Sequence, residues 1–92
     1  MAEQKAIHTR IDGVVQGVSF RAWTQLEAKN RGLKGWVRNE EDGAVTAVIA
    51  GEPEAVDEML KALHQGPPAA VVRSVEASST EPPEDDGFDI LR

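Results

Sequence analysis

The order of hydrophobic patterns along this chain is the feature that most constrains its fold. Two segments, 21–33 and 53–64, repeat apolar residues at the spacing of a helix with one buried face. Five others have the alternation or the β-forming residues of strands: 6–13, 35–39, 44–50, 71–78 and 88–90. The order strand-helix-strand thus occurs twice before a short last strand. It predicts an α+β fold, a ferredoxin-like split βαβ sandwich with a mainly antiparallel sheet covered on one face by two helices.

The helical periodicity also predicts which residues enter the core. The first helix is expected to begin at Arg21 and to bury one apolar face: Ala22, Trp23, Leu26 and Leu33. The second begins at Pro53, a residue suited to the first helical position. Its apolar stripe follows the spacing i, i+3, i+4 and i+7: Val56, Met59, Leu60 and Leu63.

The sequences of the strand segments also predict how these segments are placed in the sheet. In the first, Ile7, Thr9 and Ile11 share one side, which predicts that His8 faces solvent. Asp42-Gly43 predicts a turn that joins 35–39 and 44–50 in a hairpin. In segment 71–78 one set of alternate residues is Val71, Arg73, Val75 and Ala77. This short apolar face predicts a strand at an edge of the sheet.

Length and composition exclude several classes of function. The 92 residues are expected to form a single domain, and the absence of cysteine excludes disulfides, thiolate metal sites and a cysteine nucleophile. A net charge of -6 argues against nonspecific binding to nucleic acid. Residues 1–5 lack an apolar run, and no stretch has the length of a membrane span. We therefore expect a cytoplasmic monomer with neither a membrane nor a nucleic-acid partner.

The charge is unevenly distributed along the chain. Residues 1–39 contain seven Lys/Arg and three Asp/Glu, whereas residues 40–92 contain three and thirteen. A basic pocket inside an acidic surface favours a small anion over a polyanion, because the outer field repels the latter. The acidic half is equally consistent with a solvated surface.

The segment 13–21, Gly-Val-Val-Gln-Gly-Val-Ser-Phe-Arg, is the strongest candidate for a binding site. Gly13 and Gly17 allow backbone angles at which consecutive amides point at one spot, and the following helix directs its N-terminal amides there. Arg21 adds a guanidinium that can hold two phosphate oxygens at once. The pattern predicts a phosphate site, although two glycines before a helix are also compatible with a simple turn.

The sequence shows neither a nucleophile with its base nor a set of metal ligands. Ser19 has no histidine beside it in the motif to activate it, and His64 is explained as a helix-terminal cation. Asn39 remains, at the end of the second strand, where a split βαβ fold can bring it near the loop. Its amide can orient a water molecule without acting as a base. We expect no cofactor.

The chain resembles the acylphosphatase family at two motifs that, with the order of elements, cover nearly its whole length. The motifs are Gly13-x-Val15-Gln16-Gly17-Val18-x-Phe20-Arg21 and Gly35-Trp36-Val37-Arg38-Asn39-x-x-x-Gly43-x-Val45, followed by Gly51. The resemblance implies a ferredoxin-like hydrolase that splits the carboxyl–phosphate bond of small acyl phosphates without metal or cofactor. It also implies that Asn39 positions the attacking water and that Arg21 binds the phosphate together with the amides of Gln16, Gly17, Val18, Ser19 and Phe20.

Two features depart from the family pattern. Family members often end on an aromatic residue, whereas this chain ends Phe88-Asp89-Ile90-Leu91-Arg92. The loop 81–86 is unusually acidic and would weaken binding of an anionic substrate if it folded toward the site. Two alternative functions fit the same fold: a noncatalytic anion-binding or assembly module, and a carbamoyl-phosphate-handling domain like those attached to hydrogenase-maturation proteins.

Overall fold

A mixed sheet with helices on one face forms the fold in the computed structural model, which describes residues 3–92. In that range the elements are β1 (Lys5–Val14), α1 (Phe20–Asn30), β2 (Lys34–Asn39), β3 (Val45–Gly51), α2 (Pro53–Gln65), β4 (Val71–Ser79) and β5 (Phe88–Leu91). This architecture confirms the predicted α+β, ferredoxin-like sandwich. Residues 1 and 2, part of the N-terminal stretch without an apolar run, lie outside the described residues. Neither α1 nor α2 has the length and apolar character needed to cross a membrane.

The strand order is β4-β1-β3-β2-β5, with β5 parallel to β2 and the other neighbours antiparallel. The predicted hairpin joins β2 and β3, and β4 lies at an edge as expected. The register places Ile11 and Asn39 on either side of Val45, and Leu91 beside Arg38. The last residues of β1, β2 and β5 and the first of β3 therefore meet at one end of the sheet, called the Asn39 end below.

The core lies between the helices and the sheet. Ile7, Thr9 and Ile11 of β1 are buried as predicted, and every residue of β3 is buried. Thr9 is polar, but its hydroxyl donates a 3.1 Å hydrogen bond to the carbonyl oxygen of Ala47, which removes the cost of burying it. The predicted stripe of α2 is also in the core, with Leu60 only partly buried and the other three fully buried: Val56, Met59 and Leu63.

The predicted buried face of α1 was wrong for two of its four residues, since Leu33 is buried and Trp23 packs on the core as expected. Leu26 is 59% exposed and Ala22 is exposed, whereas the residues that enter the core follow the spacing i, i+4 and i+8: Phe20, Thr24 and Ala28. The helix begins one residue earlier than predicted, so Phe20 is its first residue and determines which face is buried. Trp23 is half-buried and packs on Phe20 with ring centroids 5.4 Å apart.

A β-bulge explains a second difference from the sequence pattern. Between β1 and β4 the register shifts, so that Asp12 lies opposite Ser74 while Gly13 lies opposite Val72, leaving Arg73 as the extra residue. The bulge turns Val72 toward the core with Val75 and leaves Val71 53% exposed. Gly13 has a φ of 134°, and a Cβ there would lie 2.0 Å from the carbonyl oxygen of Val71. Glycine at position 13 therefore allows β1 and β4 to approach each other closely at the bulge.

Three side chains with aromatic or charged groups pack together on the face of the sheet that the helices do not cover: His8, Trp36 and Arg38. Trp36 lies between His8, whose ring is 6.0 Å away edge-on, and the guanidinium of Arg38, 5.2 Å from the indole centroid. His8 is half-buried there by its neighbours. His64 lies in the last turn of α2, where its Nδ1 is 2.9 Å from the carbonyl oxygen of Leu60, consistent with a role at the helix terminus.

Candidate active site

A cavity of about 620 Å³ opens at the Asn39 end of the sheet. Three segments far apart in sequence line it: the loop between β1 and α1 with the first turn of α1, the last residue of β2, and the end of β5. Arg21 and Asn39 both face this cavity, as do Gly17 and Ser19. The strand register explains their proximity, because Asn39 ends β2 level with Ile11, three residues before β1 ends and the loop begins.

The loop between β1 and α1 contains two residues with left-handed backbone angles. Gly17 has a φ of 73° and Ser19 a φ of 62°, so two left-handed residues flank Val18. Ser19 is the N-cap of α1, and its carbonyl oxygen accepts a 3.0 Å bond from the amide of Trp23. Among residues 3–92, no backbone carbonyl accepts a hydrogen bond from the amides of 16–19. Such amides, together with the positive end of a helix dipole, favour a bound anion.

The predicted binding residues differ in how they contribute to the cavity. Gly17, Ser19, Phe20 and Arg21 line it, although most of the Phe20 side chain lies in the core. Val18 packs its side chain on the core. The Gln16 side chain turns away from the cavity, and its Nε2 donates to the carbonyl oxygens of Glu40 and Ala44 at 2.7 and 2.8 Å. That the amides of all five residues bind phosphate remains a prediction.

Asn39 combines burial with an unsatisfied acceptor. Its Oδ1 is buried and finds no hydrogen-bond partner in the part of the chain that the structure describes. A buried polar atom without a partner is costly and uncommon in folded proteins. The Asn39 side chain also lines the cavity, so its amide group can form hydrogen bonds to a molecule bound there.

The charged side chains that line the cavity are basic. Arg21 and Arg92 line it, and within residues 3–92 no aspartate or glutamate does. Two acidic side chains of the hairpin turn that follows Asn39 are held by hydrogen bonds. The Glu40 carboxylate accepts hydrogen bonds from Thr46 and Arg38, and these lower the pKa of Glu40. Asp42 accepts a 2.7 Å bond from Arg10 and a weaker one from the amide of Ala44, which lower the pKa of Asp42.

The acidic loop 81–86 does not approach the cavity. It leads into Gly87, whose carbonyl oxygen accepts a 3.0 Å bond from the amide of Gly35, near the start of β2. Phe88 then pairs with Gly35, so β5 starts at the far end of the sheet and runs toward Asn39. The possibility that this loop weakens anion binding by folding over the site is therefore excluded. In the described range, no group of three or more metal-ligating side chains comes together either.

The sequence reasoning missed Ile90 and Arg92 at the end of β5, and also Val15 and Ala22 beside the predicted loop residues. The signal was present in the alternation of the last strand. With Phe88 buried, Ile90 and Arg92 fall on the same side of β5 as the core, so they extend the helix-covered face to the Asn39 end.

The whole chain can be compared with known proteins. A family model described as Acylphosphatase matches residues 7–90. A curated acylphosphatase of Rhizobium meliloti (strain 1021) is 54% identical over 93 residues, which cover 98% of this chain and 96% of the relative. Of the solved structures, an acylphosphatase from Coxiella burnetii has a TM-score of 0.92 at 32% identity, over 96% of this chain and 93% of that one. The acylphosphatase from Bacillus subtilis has a TM-score of 0.90 at 32% identity, over 98% and 100%.

Proposed function

The chain belongs to the acylphosphatase family and is an acyl phosphate hydrolase, and we propose that it splits the carboxyl–phosphate bond of small acyl phosphates at the cavity described above. In this proposal Arg21 and the amides of 16–20 hold the phosphoryl group, and Asn39 orients the attacking water. The observation that carries the proposal is that Arg21 and Asn39, 18 positions apart in sequence, line one cavity.

The phosphate role of Arg21 rests on its position and on its lack of a competing partner. Arg21 follows the first residue of α1, next to the left-handed loop, and forms no ion pair with any residue from 3 to 92. Its planar guanidinium can form two parallel hydrogen bonds to phosphoryl oxygens. The loop amides supply further donors that are already oriented, so little reorganisation is needed when charge develops on these oxygens.

The water role of Asn39 rests on its place in the cavity lining. In the proposed complex the amide oxygen accepts a hydrogen bond from the water, and the side-chain NH₂ group donates to a second oxygen. These bonds fix the position of the water and so the direction of its attack on phosphorus. Asparagine removes no proton, so its contribution is orientation and proximity.

The reaction needs little more from the protein. The water oxygen forms a bond to phosphorus as the bond from phosphorus to the acyl oxygen breaks in line with it. The products are a carboxylate and inorganic phosphate, and the water proton passes to a phosphate oxygen or to solvent. Because a carboxylate leaves readily without protonation, positioning and charge stabilisation account for the catalysis, with no step assigned to a metal ion.

The test is phosphate release from acetyl phosphate by the wild type and by Arg21→Ala and Asn39→Ala. Both variants are expected to lose turnover by at least about 100-fold, Arg21→Ala because a preorganised charge stabiliser is lost and Asn39→Ala because the water is no longer positioned. Matched controls are Arg73→Ala on the opposite edge strand and Asn30→Ala at the end of α1, which should keep wild-type rates.

Binding of inorganic phosphate, measured by calorimetry, separates the two roles. It should weaken in Arg21→Ala and persist in Asn39→Ala. Phosphate binding by a wild type that hydrolyses no acyl phosphate would instead support the noncatalytic anion-binding module.

A further inference from the structure

We propose that Arg92 is a second substrate-binding arginine, which holds the phosphoryl group from the β5 side of the cavity while Arg21 holds it from the α1 side. The inference rests on the proposed function for the identity of the substrate. It assigns to the end of β5 a role in affinity for the phosphoryl dianion and for the phosphate product.

The direction of the Arg92 side chain follows from the geometry of β5. Successive residues of a strand point to opposite faces, and Phe88 is 2% exposed in the core while Ile90 lines the cavity. Arg92 continues this series and also lines the cavity. Leu91 pairs with Arg38, so the next position along the parallel strands brings Arg92 level with Asn39. Neighbouring strands lie about 4.8 Å apart, well within the reach of an arginine side chain.

The charges of the cavity match the ligand better with two arginines than with one. An ionised phosphoryl group carries up to about two negative charges near neutral pH. Arg10, Arg31 and Arg38 are all engaged by carboxylates elsewhere in the molecule. Arg92, like Arg21, forms no ion pair in the described chain. With no aspartate or glutamate from residues 3–92 on the cavity wall, no acidic side chain there competes with the anion for the two guanidinium groups.

The location of Arg92 predicts an effect on binding more than on the rate of the chemical step. It is exposed and lies beyond the last paired residue of an edge strand, so solvent screens its charge. One charge-assisted hydrogen bond in such a setting corresponds to about a tenfold change in affinity. Arg21, half-buried in the first turn of α1, is better placed to stabilise the transition state.

The experiment compares Arg92→Gln with Arg73→Gln, which removes the same charge from an exposed position of β4 outside the cavity. The Kd of inorganic phosphate is measured by calorimetry at two salt concentrations, and KM and kcat are measured with acetyl phosphate. We expect Arg92→Gln to raise Kd and KM together by about tenfold at low salt, less at high salt, with kcat changed by less than about twofold. Arg73→Gln should change neither Kd nor KM.

An unchanged Kd in Arg92→Gln, or an equal change in Arg73→Gln, would overturn the inference. A fall in kcat as large as that of Arg21→Ala would also overturn it, because Arg92 would then act in the chemical step. Failure of the proposed function has a different signature. It would appear as a wild type that hydrolyses no acetyl phosphate, and the comparison of phosphate Kd values would still decide the role of Arg92.

Discussion

The side-chain Nε2 of Gln16 lies 2.7 Å from the carbonyl oxygen of Glu40, so the loop that lines the cavity is fastened to the turn that follows Asn39. The second bond of the same Nε2, to Ala44, spans both ends of that turn. Both carbonyl oxygens also accept a backbone amide, from Gly43 and Glu40 respectively. The contribution of Gln16 is therefore mainly the relative placement of the two halves of the site.

Gln16→Leu should reduce kcat by about tenfold while changing stability little, since neither carbonyl is left without a donor. The Kd of inorganic phosphate should change less than kcat. Thr9→Val is the control for a general loss of stability, because it removes a buried hydrogen bond on β1 outside the cavity. Equal losses of kcat in the two variants would show that Gln16 has no specific part in positioning.

Arg21→Lys should be almost as inactive as Arg21→Ala, at least about 100-fold below the wild type in kcat. An ammonium group carries the charge but cannot form the paired hydrogen bonds of a guanidinium. Steady-state kinetics with acetyl phosphate measure the difference, and circular dichroism checks folding. Near-normal turnover in Arg21→Lys would mean that charge alone is needed and that the bidentate contact is absent.

Gly17→Ala should abolish most activity, with a loss of stability of only about 1–2 kcal/mol from the left-handed backbone. Gly32→Ala is a closely matched control. The two glycines have φ values of 73° and 70°, and a Cβ built at either meets no described atom within 4 Å. Urea denaturation should show similar destabilisation for both variants, while Gly32→Ala retains activity. Full activity in Gly17→Ala would reduce the loop to a connection between β1 and α1.

The rate should depend little on pH and not at all on a chelator. An arginine side chain keeps its charge over roughly pH 5–8, and amides do not titrate there. We expect kcat to follow only the ionisation of the substrate phosphate, whose reference pKa is near 6. The measurement is kcat against pH with and without chelator, repeated for His8→Ala and His64→Ala. A limb lost in either variant, or activity that a divalent ion restores, would require a different mechanism.

Acidification should weaken the hairpin turn through Glu40. Hydrogen bonds from Thr46 and Arg38 hold the pKa of Glu40 below its usual 4.5, so the ionised form stabilises the fold above that pH. This stabilisation is lost as the pH falls below about 4.5 and through the lower pKa of the folded state. Urea midpoints between pH 3 and 7 should therefore fall less steeply in Glu40→Gln than in the wild type. Glu41→Gln, exposed in the same turn, should leave the slope unchanged.

The sequence predicted those parts of the fold in which local pattern and tertiary packing agree. The stripe of α2 and the alternation of β1 each have one apolar side, and the structure buries that side. In α1 two apolar faces compete, and the aromatic ring of Phe20 decides between them although it seemed to belong to the loop. The Gly13 bulge was not predictable, because it depends on the strand that pairs with β1 some 60 residues later.

The sequence predicts the candidate site residues that lie together in one motif. It does not predict those that come together only when the strands pair. Arg21 follows directly from the loop motif, whereas the approach of Asn39 required the fold. The alternation of the last strand places Ile90 and Arg92 on one side, but the approach of that side to Asn39 required the parallel pairing of β5 with β2, which the local sequence does not indicate. The same reasoning explains why Gln16 was expected only through its amide, since its side-chain partners lie across the fold in the hairpin turn.

The residue proposed to set the affinity for the anion and the residue proposed to orient the water lie on different strands, because β5 is a separate strand at the edge of the sheet. Asn39 ends a strand with neighbours on both sides, while Arg92 follows a four-residue strand paired on one side with β2 and joined to α1 by the Gln25 side chain, which donates to Phe88. If the proposed roles hold, substitutions at Arg92 change how tightly the anion is held without moving the Asn39 side chain that directs the water. In the proposed mechanism, affinity for the phosphoryl anion can therefore change in evolution while the hydrolysis reaction stays the same.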